Sequence, residues 1–176
     1  MRLPFIRFFR PFFVAGLVLL TPLKRVFAQA GGHDHPRTVL YHGILHPLVT
    51  LSDHAPVFNF SAYYLVGFPV GVNLWKTERI GYSLEVVPFV RAEGGSSRVS
   101  NVLIHPGLLL GLGKGFTLAN RLAFETSGRY GLTPVLNKTF RRPGPVSYFV
   151  AMPLPIRFGT DRAASFTVGL QFGITL

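Results

Sequence analysis

Cysteine is absent from the 176 residues, so a disulfide-stapled secreted module is excluded. Acidic residues are scarce, 7 against 18 Lys+Arg, and only 14% of the chain is charged. A chain that is 48% hydrophobic and 14% aromatic is too apolar for intrinsic disorder. The Ala, Glu, Lys and Leu bias of helical bundles is missing as well; the sequence favours Gly (19), Pro (14) and Phe (17) instead. Beyond the first thirty residues no apolar run approaches the eighteen needed for a spanning helix. One domain is the natural reading at this length. The net charge of +11 first suggests nucleic acid or an anionic surface as partner.

Residues 1–30 have the three parts of a secretory signal peptide. Arg2, Arg7 and Arg10 form a basic start, 12–20 is an uncharged apolar core, and Ala28-Gln29-Ala30 is a small-residue cleavage site. The core is about half of the ~20 residues that a membrane anchor requires. Lys24-Arg25, between core and cleavage site, is atypical. Cleavage after Ala30 removes five cations and no acid, leaving 146 residues with 13 cations, 7 acids and a net charge of +6. Residues 31–37 then form a short polar tail containing His33 and His35, and 38–176 is the folded part. With export as its address and its basic residues dispersed, the chain is not expected to bind nucleic acid.

The folded part alternates with a period of two, the mark of strands. Phe166, Val168, Leu170, Phe172, Ile174 and Leu176 share one face, and Ser165, Thr167, Gly169, Gln171, Gly173 and Thr175 share the other. Similar alternation runs through 82–91, 101–112 and 116–127, with turn-forming clusters between the runs. Two architectures fit: a soluble barrel or sandwich with its large residues inside, or a membrane barrel with its large residues facing lipid. The small-residue face carries Gly, Ser, Thr, Ala and few charges, whereas a solvent face would carry more Lys and Glu. Small residues suit the tight interior of a narrow barrel.

On these residues the chain resembles the small outer-membrane β-barrel proteins of Gram-negative bacteria, over the signal peptide and from about residue 57 to 176. Members of that class often end on an aromatic residue; this chain ends Phe172-Gly173-Ile174-Thr175-Leu176. The resemblance implies an outer-membrane location reached through the periplasm, with lipid, lipopolysaccharide and the outer-membrane assembly machinery as partners. Strand parity and length predict an eight-stranded antiparallel transmembrane β-barrel. Its strands are expected at 38–51, 57–75, 79–93, 99–112, 116–128, 132–140, 146–158 and 164–176. Pro153 and Pro155 are expected to disturb the seventh, since each lacks a ladder donor.

Interior positions predict a polar network of Glu85, Arg91, Asn101, His105, Arg121, Glu125, Arg157 and Gln171. Arg121 and Glu125 are expected to pair, so that Arg121→Ala leaves Glu125 buried and alone. Catalytic candidates are His105 and Glu125, with Ser83 or Ser127 as a nucleophile for lipid A chemistry. No characteristic Ser–His spacing supports them. Five of the six histidines lie in 33–54, and His33 and His35 are the candidate metal ligands, without a converging fourth group. No cofactor is expected. Arg98, Arg129, Arg141 and Arg142 in loops suit lipopolysaccharide phosphates. The reading that follows is a structural, surface-interaction or small-porin-like barrel without enzymatic activity. The alternatives are a lipid A-modifying barrel enzyme and a soluble barrel that carries a small apolar ligand.

Overall fold

The computed structural model describes residues 35–53, 55–140, 145–159 and 163–176. The signal peptide, His33, His54, Arg141 and Arg142 lie outside the described residues.

Eleven antiparallel strands join into one ring of eight staves. They are β1 (Arg37–Leu51), β2 (Val57–Phe58), β3 (Tyr64–Gly67), β4 (Val70–Trp75), β5 (Ile80–Glu93), β6 (Ser96–Gly113), β7 (Phe116–Glu125), β8 (Tyr130–Phe140), β9 (Ser147–Pro153), β10 (Ile156–Phe158) and β11 (Ser165–Thr175). Strands β3 and β4 are two parts of one stave, as are β9 and β10, and the two-residue β2 is an addition to β1 outside the ring. The ring closes where β11 pairs with β1, from Tyr41↔Thr175 to Leu51↔Phe166. The first and last staves therefore begin and end at the same rim, as an even count requires. Closure removes the unpaired edges that would otherwise template aggregation.

The strands expected at 38–51 and 132–140 are both full staves. Pro134 is accommodated in β8 opposite Asn120. Pro155 separates β9 from β10, yet the stave stays bonded on both sides: Leu154 N–H donates to Pro134 O at 2.8 Å and Thr167 N–H to Pro155 O at 2.9 Å. The expected strand at 57–75 is shorter than the sequence suggested. Its start forms only the two-residue β2 against Val49 and Thr50, then a turn, and the stave begins at Tyr64. Phe60 sits there at φ 73°, which ends extended pairing. The two-residue connection between β5 and β6 is Gly94-Gly95, both at positive φ, the geometry that such a hairpin demands.

The large apolar side chains point outward. Leu40, Val70, Leu84, Ile104, Leu122, Val150 and Phe172 all expose more than a third of their surface. Leu118 and Phe166 lie on the same outer face, half-buried between neighbours. The interior has two apolar clusters. One contains Tyr41, Trp75, Leu109, Ala119, Val135, Phe149 and Ala151, and the other contains Leu45, Val87, Leu103 and Ala123. A layer of buried polar side chains accompanies them: Ser83, Glu85, His105, Arg121, Thr133 and Gln171.

Candidate functional site

Cross-strand register places the interior layer. Tyr41, Gly71, Glu85 and His105 stand side by side on β1, β4, β5 and β6. Ser83, Gly107, Arg121 and Thr133 do the same on β5 to β8. Staves are about 4.8 Å apart, so a long side chain reaches the second neighbour only by crossing the first. An inward glycine makes that crossing possible. Tyr41 crosses Gly71, Arg121 crosses Gly107, and Arg157 lies beside Gly131. A Cβ on Gly107 would stand 2.6 Å from Arg121 Cγ and 2.5 Å from the Asn120 backbone oxygen. Gly107→Val is therefore expected to cost about 1–3 kcal/mol by overpacking, read as a lower urea midpoint.

Glu85 is the hub. Tyr41 Oη donates to its Oε2 at 3.0 Å, and Gln171 Nε2 donates to the same oxygen at 3.4 Å. Its Oε1 accepts from His105 Nδ1 at 3.1 Å and faces Arg121 Nη1 at 3.5 Å. Arg121 Nη2 also donates to Tyr41 Oη at 3.0 Å and to Ser83 Oγ at 3.2 Å. Arg157 forms the second hub. It donates from Nε to Glu125 Oε1 at 2.7 Å, from Nη1 to Thr133 Oγ1 at 2.9 Å, and from Nη2 to His105 Nε2 at 3.2 Å. A guanidinium only donates, so Nε2 is the acceptor and the ring proton sits on Nδ1, toward Glu85. Thr133 Oγ1, 3.0 Å from Nε2, completes the contact. Asn101 Nδ2 and Ser127 Oγ donate to Glu125 Oε2 at 2.8 and 2.9 Å. Two arginines thus face two glutamates, and the polar groups of this network find partners in one another.

The residues predicted for the interior fall into three groups. Glu85, His105, Arg121, Arg157 and Gln171 are buried in the connected network. Asn101 and Glu125 join it near the rim opposite the chain termini. Arg91 is a third exposed: it bonds Glu93 at 2.9 Å and covers the Tyr63 ring. That hydrogen bond holds the Glu93 carboxyl below its ordinary range. The expected Arg121–Glu125 pair is replaced by Arg121–Glu85 and Arg157–Glu125. Along a strand, positions four apart are separated by about 13 Å. Partners are set by register across the sheet, and sequence spacing does not display it. The residues missed from sequence are Tyr41, Ser83 and Thr133 in this role; the available signal was the inward glycines beside them.

Glu85, His105 and Thr133 are connected in the order of an acid–base–hydroxyl relay. Their exposures are 2%, 3% and 1%, and the Thr133 hydroxyl is also held by Arg157. The relay is sealed, and presents no nucleophile to an external substrate. His105 and Glu125 do not touch; Arg157 stands between them. Ser83 serves Arg121 and Ser127 serves Glu125. Among the described residues no cluster of three metal-ligating side chains occurs.

A closed ring with an apolar exterior and a hydrogen-bonded polar interior defines the class: a transmembrane-type, eight-stranded antiparallel β-barrel. No family model matches the sequence, and no curated protein matches it either. Two solved structures are similar. One is a de novo designed transmembrane β-barrel, 7% identical, with a TM-score of 0.44 over 81% of this chain and 99% of that one. The other is the outer membrane protein OprG of Pseudomonas aeruginosa, 11% identical, with a TM-score of 0.45 over 82% of this chain and 96% of that one. The assignment of class rests on the ring of pairings and on its outward apolar face.

Proposed function

We propose that the chain is a non-enzymatic outer-membrane barrel with a structural or surface-interaction role. The observation that carries this reading is the inversion of the usual protein pattern. Leu, Val, Ile and Phe face outward, while Glu, Arg, His and Gln are paired inside. In water such an exterior would be an aggregation liability; in lipid it is the stabilising surface. The signal peptide supplies the route of export, and the rim that carries the chain termini faces the periplasm. The filled interior favours this role over a porin-like one, since Val87, Leu103, Leu109 and Thr133 are under 2% exposed inside the ring. Arg98, on the β5–β6 hairpin of the opposite rim, is placed for lipopolysaccharide phosphate.

Cell fractionation tests the reading. The protein is expected with the outer membrane after a carbonate wash, with no lipid A change and no conductance steps in planar bilayers. Recovery in the soluble periplasm would overturn the membrane role. An altered lipid A profile in a deletion strain would overturn the non-enzymatic one.

A further inference from the structure

We infer that the β6–β7–β8 face is the contact surface of a homodimer within the membrane, with Asn120 at its centre. The inference rests on the membrane reading above. Among the described residues, outward positions along the ring's lipid-height belt are apolar or aromatic with four exceptions: His42, His46, Asn120 and Lys138. Three of the four have a local explanation. His46 is hydrogen-bonded to Tyr64 Oη at 2.7 Å and stacked on Phe172. His42 lies one residue from the closing pair Tyr41↔Thr175, near the rim and within reach of headgroups. Lys138 lies over the Phe116 and Phe140 rings and donates from Nζ to the Lys114 carbonyl oxygen at the β6–β7 hairpin. Asn120 has no such explanation. It is the fifth residue of the ten in β7, midway between the rims, and its amide has no hydrogen-bond partner among the described residues.

An amide facing hydrocarbon forfeits the bonds it makes in water, so that position is unfavourable unless something covers it. The surrounding surface is shaped to be covered. Asn120 stands between Leu108 on β6 and Pro134 on β8, with Pro106 one outward step from Leu108. The two prolines are short, and they form a shallow floor with the amide. Ile104, Leu108, Leu122, Leu132 and Leu136, each 38–54% exposed, rise around it. A polar centre inside an apolar ring that excludes competitors is the arrangement of an interface hot spot.

The occupant that fits is a second copy of this chain. A carboxamide carries both donor and acceptor, so two of them across a two-fold axis satisfy each other reciprocally. Two-fold contacts are isologous and need only one self-complementary patch. A lipid tail offers Asn120 nothing. A charged partner would bring an unpaired charge to mid-membrane.

The absence of cysteine makes the test clean. Leu108→Cys, beside Asn120 with the amide kept, and Ile44→Cys on β1, four staves from Asn120, are reconstituted in phosphatidylcholine vesicles at low protein density and oxidised. Leu108→Cys is expected to give at least about fivefold more disulfide-linked dimer. Asn120→Leu, which favours the lipid-facing monomer, is expected to weaken the dimer roughly 3- to 30-fold, the range for polar contacts between membrane segments. Equal cross-linking at both positions, or an Asn120→Leu protein that dimerises as strongly as the parent, would overturn the inference. A protein retained in carbonate-washed vesicles but monomeric overturns the inference alone. A protein that washes off overturns the membrane reading and the inference with it.

Discussion

Glu85→Ala is expected to destabilise the barrel by roughly 3–5 kcal/mol, the range for removing one partner of a buried ion pair. The size of the effect follows from the number of groups that the carboxylate serves. Arg121 is left with only Tyr41 and Ser83 as hydrogen-bond partners, with no opposite charge. His105 Nδ1–H, Gln171 Nε2 and Tyr41 Oη all lose their acceptor. The measurement is a urea unfolding midpoint in lipid vesicles, followed by the fluorescence of Trp75, the single tryptophan, which is buried inside the ring. Glu85→Gln should lie between parent and alanine variant, since an amide oxygen still accepts but carries no charge. Glu85→Leu combined with Arg121→Met should recover the part of the loss that comes from the uncompensated charge, since an apolar pair leaves none. An alanine variant that unfolds with the parent would show that the network contributes nothing to stability.

Met152→Arg is the second large effect. Met152 is 43% exposed on β9, opposite Leu136 on β8. In a soluble protein a substitution at so exposed a site would change stability by at most about 0.5 kcal/mol. On a lipid-facing stave an arginine at mid-membrane costs about 2–4 kcal/mol. The same unfolding titration therefore separates the two environments. A Met152→Arg protein as stable as the parent would mean that this face meets water.

How the sequence relates to the structure is clearest in β11 and in the interior. In β11 the alternation from Phe166 to Ile174 announced both the strand and its two faces, because side-chain period in a strand is fixed by the backbone. Even β1 and β8, with Pro47 and Pro134 inside them, were recoverable from strand parity. The interior was legible as a set of inward residues and illegible as a set of pairs. Arg121 and Glu125 lie near each other in sequence and on the same face, yet their partners come from other strands. Arg121 meets Glu85 from 36 positions away, and Arg157 meets Glu125 from 32. Register, tilt and the glycine gaps at Gly71, Gly107 and Gly131 determine those meetings, and none of them is a property of one strand alone. The start of 57–75 departs from the expected strand for a different reason. Its apolar residues looked like strand, but Phe60 sits in the left-handed region and turns the chain.

The opening charge excess also changes meaning. Five of the net positive charges fall in the segment expected to be removed. Of the rest, Arg121 and Arg157 are consumed by Glu85 and Glu125 inside the ring. Among the described residues, the other cations lie mainly at the rims, where headgroup phosphates are the anions at hand.

The central claim is that the apolar face of the ring meets lipid. Spin-label scanning of β11, residues 165–175, in vesicles tests it most directly, one cysteine at a time on the cysteine-free background. Labels at 166, 168, 170, 172 and 174 are expected to collide freely with oxygen and rarely with a water-soluble nickel chelate. Labels at the intervening positions should collide little with either. Nickel collisions at water-like rates along the even positions would contradict the account.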